Sequence, residues 1–406
     1  MPAANRDLMR AMNRCTVLRT IRLSETISRR DIANQTGLSQ ATVTAITAEL
    51  IKDGLIFEKE QQGATTGRPP VLLALNPDGA FVAGVYVSSD RISVVVINLE
   101  ARVMASHELP LDSNVTDPVQ VADRVAESVR SCCISHGFLP DDISGLGLGI
   151  PGLVNANTGM VHFHPGFNQG FNWSNVPFRE LVEKRTGFET FIENSSNALA
   201  IYEHWFGEAR GCEDFLVVTL EHGVGLGIFA DGRLVRGAKG MAGELGHIRG
   251  SSKGTECRCG LNGCLEAVAS TYSILRDASK LVKQGIWETD KQPEEITLED
   301  VIDAAKVGEP SLEEIIRRAG KVIGYRISDL TRLLDPEKVV ITGKSYLARD
   351  MLFEPLVRAM KERRCAVFGG MPELIIQPWQ AENYARGAGA MVLQQLHQNC
   401  DLHMPG

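Results

Sequence analysis

The sequence lacks the features that mark membrane and secreted proteins. No apolar run reaches the roughly 18 residues that are needed to cross a bilayer. The N-terminal stretch MPAANRDLMRAMNRC contains no apolar segment of the kind that signal peptides carry. The nine cysteines, an odd number, do not suggest a disulfide framework. We therefore expect a cytoplasmic protein in a reducing compartment, without membrane insertion.

Length and charge divide the chain. Its 406 residues exceed one ordinary hydrophobic core, so two or three domains are expected. The net charge of −8 is unevenly spread: residues 1–80 hold ten Lys/Arg and eight Asp/Glu, whereas the remainder holds 32 and 42. A basic head on an acidic body predicts that the head meets a polyanion.

Residues 14–56 predict three short helices with turn signals between them. The first covers about residues 12–23 and the second begins after Ser28, a plausible N-cap. The segment TGLS follows, where Gly37 can adopt the positive φ of a tight turn between crossed helices. Ser39 caps the third helix, and Gly54 ends it. This order is typical of a helix-turn-helix.

The third helix has two different faces. Its apolar face is predicted to hold Val43, Ile46, Leu50 and Ile51, and its opposite face Gln40, Thr42, Thr44 and Thr47. The short uncharged groups of the second face suit base edges in a DNA major groove, although a small helical domain with a polar surface is the alternative. The predicted DNA contacts are Arg29, Ser39, Gln40, Thr42, Thr44 and, in the wing described next, Arg68.

A β-hairpin is predicted after Leu55, from LIFEKE to PVLLALNP, and completes a winged helix-turn-helix. Its tip carries TTGRPP. Arg68 between Gly67 and Pro69 is stiff and extended, a shape that can enter a narrow minor groove. An ordinary turn arginine is the alternative interpretation.

From Phe81 the pattern changes to that of an α/β body. The segments FVAGVYV and ISVVVINL predict a strand pair, followed by a helix near residues 117–136 and the strand ISGLGLGIPGLV. A second set begins at TFIEN and continues with FLVVTLEHGVGLGIFADGRLV. Two rounds of hairpin and crossover helix predict two lobes with a cleft between them.

Several segments of this body resemble one known family over essentially the whole chain. GIPGLVNANTG, GVGLGIFADGRLVRGAKGMAGELGH, CRCGLNGCLE, LLDPEKVVITG and ARGAGA are similar to the matching segments of the ROK family of repressors, open reading frames and sugar kinases. The winged helix in front resembles the repressor branch, which includes glucose, xylose and N-acetylglucosamine repressors. The resemblance implies an actin-like (ribonuclease H-like ATPase/sugar kinase) body behind the winged helix-turn-helix. The expected domains are residues 1–80 for the head, 81–190 for the first lobe joined by a C-terminal helix at 381–406, and 191–380 for the second lobe with the sugar site, zinc loop and oligomer interface.

Three cysteines and one histidine lie within GHIRGSSKGTECRCGLNGCLE. His247, Cys257, Cys259 and Cys264 offer one nitrogen and three thiolates, a donor set that Zn²⁺ accepts as a closed structural tetrahedron. The ROK resemblance implies that the same four residues are zinc ligands. A redox pair or unligated surface cysteines are the alternatives, but Cys-x-Cys does not easily form a relaxed disulfide.

The resemblance also implies three phosphate-handling devices in a ROK kinase, and two of them are altered here. Val85 stands where the Asp of an Asp-x-Gly-Gly-Thr turn is expected, and Val87 and Ser88 stand at the glycines. Ser195 replaces the general base that follows Asn194, whereas the glycine loop Gly223–Gly227 is intact. Losing a general base removes about 10²–10⁴ in rate, so we expect no kinase activity.

The sugar-binding residues are largely retained. Carried over by resemblance, the residues that bind sugar hydroxyls are Asn168, Asn194, Glu244, His247 and Glu266. Carboxylates and amides pair with hydroxyls, and Trp173 or Phe171 is expected to offer a stacking face.

These observations predict a sugar-responsive repressor of carbohydrate uptake or metabolism genes. It would bind a two-fold DNA operator as a homodimer or homotetramer and would release it when a sugar effector binds in the cleft. One alternative is an ATP-dependent sugar kinase with a fused DNA-binding head. The other is a regulator controlled by a protein partner, such as a transport protein, instead of a sugar.

Overall fold

The computed structural model describes residues 6–59, 71–112, 115–164, 173–251, 254–363 and 370–398. These residues form two compact units. The first runs to Ser195 and resumes at Tyr384, and the second runs from Ser196 to Asn383. No helix within the described ranges is long and apolar enough to span a membrane.

The first unit begins with the winged head. Its elements are α1 (Arg6–Ser24), β1 (Thr26–Ser28), α2 (Arg29–Thr36), α3 (Gln40–Lys52), β2 (Ile56–Lys59) and β3 (Leu72–Leu75). Strand β3 lies between β1 and β2 and pairs antiparallel with both. The hairpin of β2 and β3 is the predicted wing, whereas β1 was not predicted, and α1 begins six residues before the predicted start.

The capping residues in the head behave as predicted. The Ser28 hydroxyl accepts a hydrogen bond from the Asp31 amide at the start of α2. Gly37 ends α2 with a φ of 71°, a left-handed conformation that costs glycine little. The Ser39 hydroxyl accepts from the Thr42 amide and starts α3. These local signals are why the helix-turn-helix could be located from the sequence.

The rest of the first unit is built on a five-stranded sheet of order β10-β7-β4-β5-β6. Strands β4, β5 and β6 form an antiparallel meander, and β7 and β10 pair parallel beside β4. Its elements are β4 (Phe81–Val87), β5 (Arg91–Asn98), β6 (Val103–Pro110), α4 (Pro118–Ser135), β7 (Ile143–Ile150), β8 (Leu153–Asn155), β9 (Met160–Phe163), α5 (Phe178–Thr186) and β10 (Thr190–Asn194).

The C-terminal helix α12 (Ala381–Gln398) returns to this first sheet. A Cβ on Gly84 of β4 would lie 2.0 Å from the Ala385 carbonyl oxygen, and one on Gly147 of β7 would lie 1.9 Å from the Ala388 carbonyl oxygen. Both strands therefore need glycine where the helix backbone crosses them. This contact is the packing that we expect for the C-terminal segment.

The second unit repeats the same sheet topology, with order β13-β12-β11-β14-β15. Again an antiparallel meander (β11, β12, β13) is followed by two parallel strands (β14, β15). Its elements are α6 (Ser195–Trp205), β11 (Phe215–Leu220), β12 (Val224–Ala230), β13 (Arg233–Leu234), α7 (Glu266–Ala269), α8 (Thr271–Lys283), α9 (Leu298–Lys306), α10 (Pro310–Leu334), β14 (Lys338–Thr342), α11 (Asp350–Glu362) and β15 (Glu373–Ile376).

Candidate functional site

The N-terminal half of α3 carries most of the residues predicted to contact DNA. Gln40 and Thr44 are exposed, and Thr42 is half-buried. The Thr44 hydroxyl donates to the Gln40 carbonyl at 2.8 Å, and the hydroxyls of Ser39 and Thr42 are paired at 2.8 Å. The amide of Gln40 and the outer surface of Thr44 are therefore accessible, while three hydroxyl groups already have local partners.

The expectation that Thr47 lies on the polar face is wrong, because Thr47 is fully buried. Its hydroxyl donates to the Thr44 carbonyl and accepts from the Arg29 Nε at 3.0 Å. The Arg29 guanidinium also forms an ion pair with Glu58 of the wing at 2.7 Å. Arg29, predicted as a DNA contact, thus ties α2, α3 and β2 together inside the head.

Three predicted residues lie outside the described ranges: Arg68 at the wing tip, and Asn168 and Phe171. Trp173 is described, and its predicted role as a stacking face is wrong. Its ring is buried, its Nε1 donates to the Thr116 carbonyl at 2.7 Å, and it packs against Phe178. It belongs to the core of the first unit.

The four predicted metal ligands are brought together in the second unit. The side-chain donor atoms of His247, Cys257, Cys259 and Cys264 all lie within 4.8 Å of one another. His247 Nδ1 is 3.7 Å from the Cys257 Sγ, and the Cys259 and Cys264 sulfurs are 3.7 Å apart. Three thiols and an imidazole at these distances can hold a metal ion.

The surroundings of the thiols fit such an ion. Burial raises the pKa of the Cys264 thiol to about 12 and also raises the pKa of Cys257. Three neighbouring thiolates are therefore unstable without a compensating positive charge. A divalent cation supplies that charge and binds thiolate in preference to thiol.

The backbone around the cluster forms a compact loop. The Gly260 amide donates to the Cys257 carbonyl at 2.9 Å, with Gly260 at a φ of 87°. The Leu265 amide donates to the Ile248 carbonyl at 2.8 Å, so both ends of the loop run side by side. Glu266 follows two residues after Cys264, so its backbone continues directly from the loop that carries the His/Cys cluster.

Glu266 is buried and paired with a residue that the sequence analysis did not single out. Its Oε1 accepts from the Arg258 guanidinium at 2.8 Å, and Arg258 lies between Cys257 and Cys259 in the sequence. The guanidinium also lies 4.8 Å from the centroid of the Tyr272 ring. A buried glutamate needs such a charged partner. In the sequence, the arginine between Cys257 and Cys259 was the feature from which this pair could have been predicted.

Glu244 and His247 lie beside this pair. The His247 Nε2 is 3.8 Å from the Glu244 Oε2, while the other ring nitrogen faces Cys257. Burial, together with the negative charge of Glu266, raises the pKa of Glu244 to about 7. Two carboxylates and an imidazole thus lie close together beside the His/Cys cluster. Groups of this kind can pair with hydroxyls, and sugar recognition by them stays a prediction.

Asn194, the remaining described residue that was predicted to bind sugar, belongs to the first unit. It ends β10, and its side-chain amide donates to the Gly152 carbonyl at 2.9 Å. Ser195 follows at the start of α6 and is buried. A serine hydroxyl of ordinary pKa at this position is a poor general base.

The segment where the family resemblance implies a phosphate turn forms a hairpin turn between β4 and β5. Val85 and Val87 are completely buried in β4. The Ser88 hydroxyl donates to Asp90 at 2.7 Å, and the Ser88 amide donates to the Arg91 carbonyl at 2.9 Å. Asp90 pairs in turn with Arg91. The Ser88 hydroxyl and the Asp90 carboxylate thus already have partners within the turn, and Arg91 also pairs with Glu108 of β6.

The glycine loop has a packing explanation. A Cβ on Gly225 would lie 2.1 Å from the Ser196 Oγ, and one on Gly227 would lie 2.6 Å from the Ala200 Cβ. A Cβ on Gly223 would lie 2.4 Å from the Glu266 Oε2. The absence of side chains at these glycines leaves room for α6 and for the Glu266 carboxylate. Packing therefore explains why glycine is present here, without phosphate binding.

Comparisons with known proteins identify the family of this chain. The model of the ROK family matches residues 82–395. The chain belongs to the ROK family. A second model, described as winged helix-turn-helix DNA-binding, matches residues 15–56 of the head.

Relatives align with nearly the whole ROK chain. It is 32% identical over 365 residues to a xylose repressor of Caldicellulosiruptor bescii, covering 88% of this chain and 90% of that protein. It is 31% identical over 364 residues to the DNA-binding transcriptional dual regulator NagC of Escherichia coli, covering 90% and 88%.

Solved structures resemble both the full chain and the body alone. A ROK family transcriptional regulator, a homologue of the E. coli MLC protein, superposes with a TM-score of 0.81 at 28% identity over 97% of this chain and 98% of that chain. A ROK family glucokinase from Streptomyces griseus in complex with glucose and AMPPNP gives 0.66 at 25% identity over 77% and 99%.

Proposed function

We propose that this ROK protein is a sugar-responsive transcriptional repressor that acts on DNA in the cytoplasm. One observation carries the proposal. A winged helix-turn-helix head occurs in one chain with Glu244 and Glu266, the carboxylates that the family resemblance assigns to sugar hydroxyls, whereas the residues expected for phosphate transfer are altered. Relatives described as xylose repressor and as NagC, a DNA-binding transcriptional regulator, support the same conclusion.

The sugar effector binds beside Glu244, His247 and Glu266. Glu266 already gives one oxygen to Arg258, which leaves Oε2 as the acceptor for a sugar hydroxyl. Glu244 and the imidazole add further acceptors and donors, and Asn194 and Asn168 complete the set by family resemblance. The effector is a monosaccharide or its derivative.

The metal cluster holds Zn²⁺ in a structural role. His247, Cys257, Cys259 and Cys264 would occupy its four tetrahedral positions and leave none for a reacting water. When bound, the ion supplies the positive charge that three thiolates require. The chain's own residues then do the recognition, because the ordered loop holds Arg258 and Glu266 at the sugar site.

The protein does not phosphorylate the sugar. Val85 offers no carboxylate to place Mg²⁺, and the Ser88 turn uses its own polar groups. Ser195 does not accept a proton at neutral pH as an aspartate does. Binding energy is therefore used to change conformation rather than to drive transfer.

A homodimer presents two heads to a two-fold operator, with Ser39, Gln40, Thr42 and Thr44 at the major groove and Arg68 at the minor groove. Sugar binding changes the preferred spacing of the two heads. A coupling of about 1–3 kcal/mol between the two ligands would change operator affinity by about 5–150-fold.

The test starts from operator DNA enriched out of a random pool by the full-length protein. Fluorescence anisotropy then measures operator affinity with and without each member of a panel of aldoses, amino sugars and their phosphates. We expect one sugar class to weaken operator binding. Glu244→Gln should remove that response, whereas the matched exposed variant Glu256→Gln should keep it. No enriched DNA, or no sugar that changes its binding, would refute the proposal and favour control by a protein partner.

A further inference from the structure

The outward face of α3 carries no charged side chain along its first two turns. Within α3, all of which is described, the exposed residues are Gln40, Ala41, Thr44, Ala45, Ala48 and Lys52. Spacings of three and four residues place them on one side, opposite the buried Val43, Ile46 and Leu50. The only cation of this face is at its C-terminal end.

The hydroxyl groups reduce the polarity of this face further. The Thr44 hydroxyl donates back to the Gln40 carbonyl at 2.8 Å, so its methyl group is what it presents to a partner. The Thr42 hydroxyl is paired with Ser39. Glu49, the nearest acidic residue of α3, is half-buried and pairs with Arg10 and Arg14 of α1. Apart from Lys52 at its C-terminal end, the face therefore consists of three alanine methyls, one threonine methyl and one amide.

This chemistry limits which bases α3 can distinguish. Guanine is most often read by arginine or lysine, and cytosine by glutamate or aspartate, but the first two turns of α3 expose none of these. Alanine and threonine methyl groups instead make apolar contacts with the C5-methyl group of thymine, and glutamine pairs with adenine. The N-terminal part of a recognition helix is the part that meets base edges.

We propose that α3 recognises its operator through thymine methyl groups, which contact Ala41, Thr44, Ala45 and Ala48, with Gln40 bound to an adenine. This inference rests on the proposed DNA-binding function and adds the chemistry of the target. Each operator half-site carries consecutive A·T pairs where α3 lies. There the protein distinguishes base pairs by shape and by apolar contact. The contacts to phosphate supply affinity but little of this specificity.

Uracil tests the inference, because it keeps the O4 acceptor of thymine and lacks only the methyl group. Each thymine of the enriched operator is replaced in turn by deoxyuridine, and anisotropy gives the affinity of each duplex. We expect a loss of about three- to fivefold at each contacted position, the size expected for one buried methyl group. Positions outside the α3 contact should show no change.

Two matched variants assign the effect to α3. Thr44→Ser removes one exposed methyl and keeps the hydroxyl bond to the carbonyl four residues earlier. Thr16→Ser does the same on α1, where the Thr16 hydroxyl donates to the Met12 carbonyl at 2.9 Å. We expect the thymine-to-uracil ratio at one operator position to fall toward unity in Thr44→Ser and to stay unchanged in Thr16→Ser. Thermal unfolding confirms that both variants fold.

The outcomes separate this inference from the proposed function. If no DNA is enriched, the proposed function fails. If DNA is enriched but uracil is tolerated at every position, or if G·C pairs fill the centre of each half-site, only the thymine-methyl inference is overturned. An unchanged ratio at every position in Thr44→Ser would also overturn it.

Discussion

The first hairpin turn of each five-stranded sheet can be compared directly, because the two sheets share one topology. In the first unit the turn between β4 and β5 is closed by Ser88, Asp90 and Arg91, which bind one another. In the second unit the turn between β11 and β12 contains Gly223, whose missing Cβ makes room for the Glu266 carboxylate. Equivalent positions of one fold have thus acquired different roles.

The difference supports the proposal that this protein binds a sugar without phosphorylating it. The strand before the turn that is expected to approach a phosphate carries buried valines. Within the turn, Ser88 donates a hydrogen bond to Asp90. The turn that packs against the metal loop keeps the glycine that a buried carboxylate requires. The residues proposed for sugar binding and those expected for phosphate transfer lie on different turns, so the proposal allows one set to be lost without the other. The predictions below change one turn or its support at a time.

Loss of the metal ion should have the largest effect. Cys264→Ser, or removal of metal by a chelator, should lower sugar affinity by about 100-fold or more. Without the ion, part of the free energy of sugar binding is needed to order the loop. Metal analysis and calorimetry measure the two quantities. Sugar-free operator binding by the head should persist, and a metal-free protein that still released DNA normally would contradict this role.

Arg258→Met should be next in size. It leaves the buried Glu266 charge without its guanidinium partner, which costs about 3 kcal/mol of stability in the second unit. For a unit of this size we expect a fall in melting temperature of roughly 6–12 °C. Arg258→Lys keeps the charge and should recover part of the loss. Equal melting temperatures for wild type and the methionine variant would show that the pair contributes little.

Gly223→Ala should lower sugar affinity by about tenfold. The new methyl group would lie 2.4 Å from the Glu266 Oε2 and would displace the carboxylate, weakening one charged hydrogen bond. Ser88→Ala at the equivalent turn of the first unit is the control. Calorimetry should find its sugar affinity unchanged, and equal losses in both variants would contradict the distinction between the turns.

Ser195→Asp should have the smallest effect of the four, with no gain of sugar phosphorylation. It restores a carboxylate at the general-base position, but Val85 and the Ser88 turn still provide no phosphate site. We expect no ATP-dependent sugar phosphorylation, as measured by coupled ADP detection. Measurable turnover by this variant would mean that the first turn is not what prevents transfer.

Local signals made much of this architecture predictable. The ends of α2 and α3 could be located from the sequence, because their caps involve backbone groups only a few residues away. The capping residues are Ser28, Gly37 and Ser39. The spacing of cysteines and one histidine in a single loop likewise indicated that their donor atoms meet. Such features depend on few distant contacts.

Features set by tertiary packing were missed. Thr47 appears polar in the sequence but lies between Val43 and Leu50 on the helix, and Arg29 satisfies its hydroxyl from another element. Trp173 was expected at a sugar, but its indole finds Thr116 in the core instead. Strand β1 is three residues long and exists only because β3 pairs with it. No local pattern encodes those partners.

The most direct measurement follows the fate of a bound sugar. The protein, its operator, Mg-ATP and a sugar that shifts its melting temperature are incubated together, and mass spectrometry identifies the sugar while anisotropy follows the DNA. The account predicts that the operator is released and the sugar is recovered unchanged. Accumulation of a sugar phosphate at a rate above that of a protein-free control would contradict it.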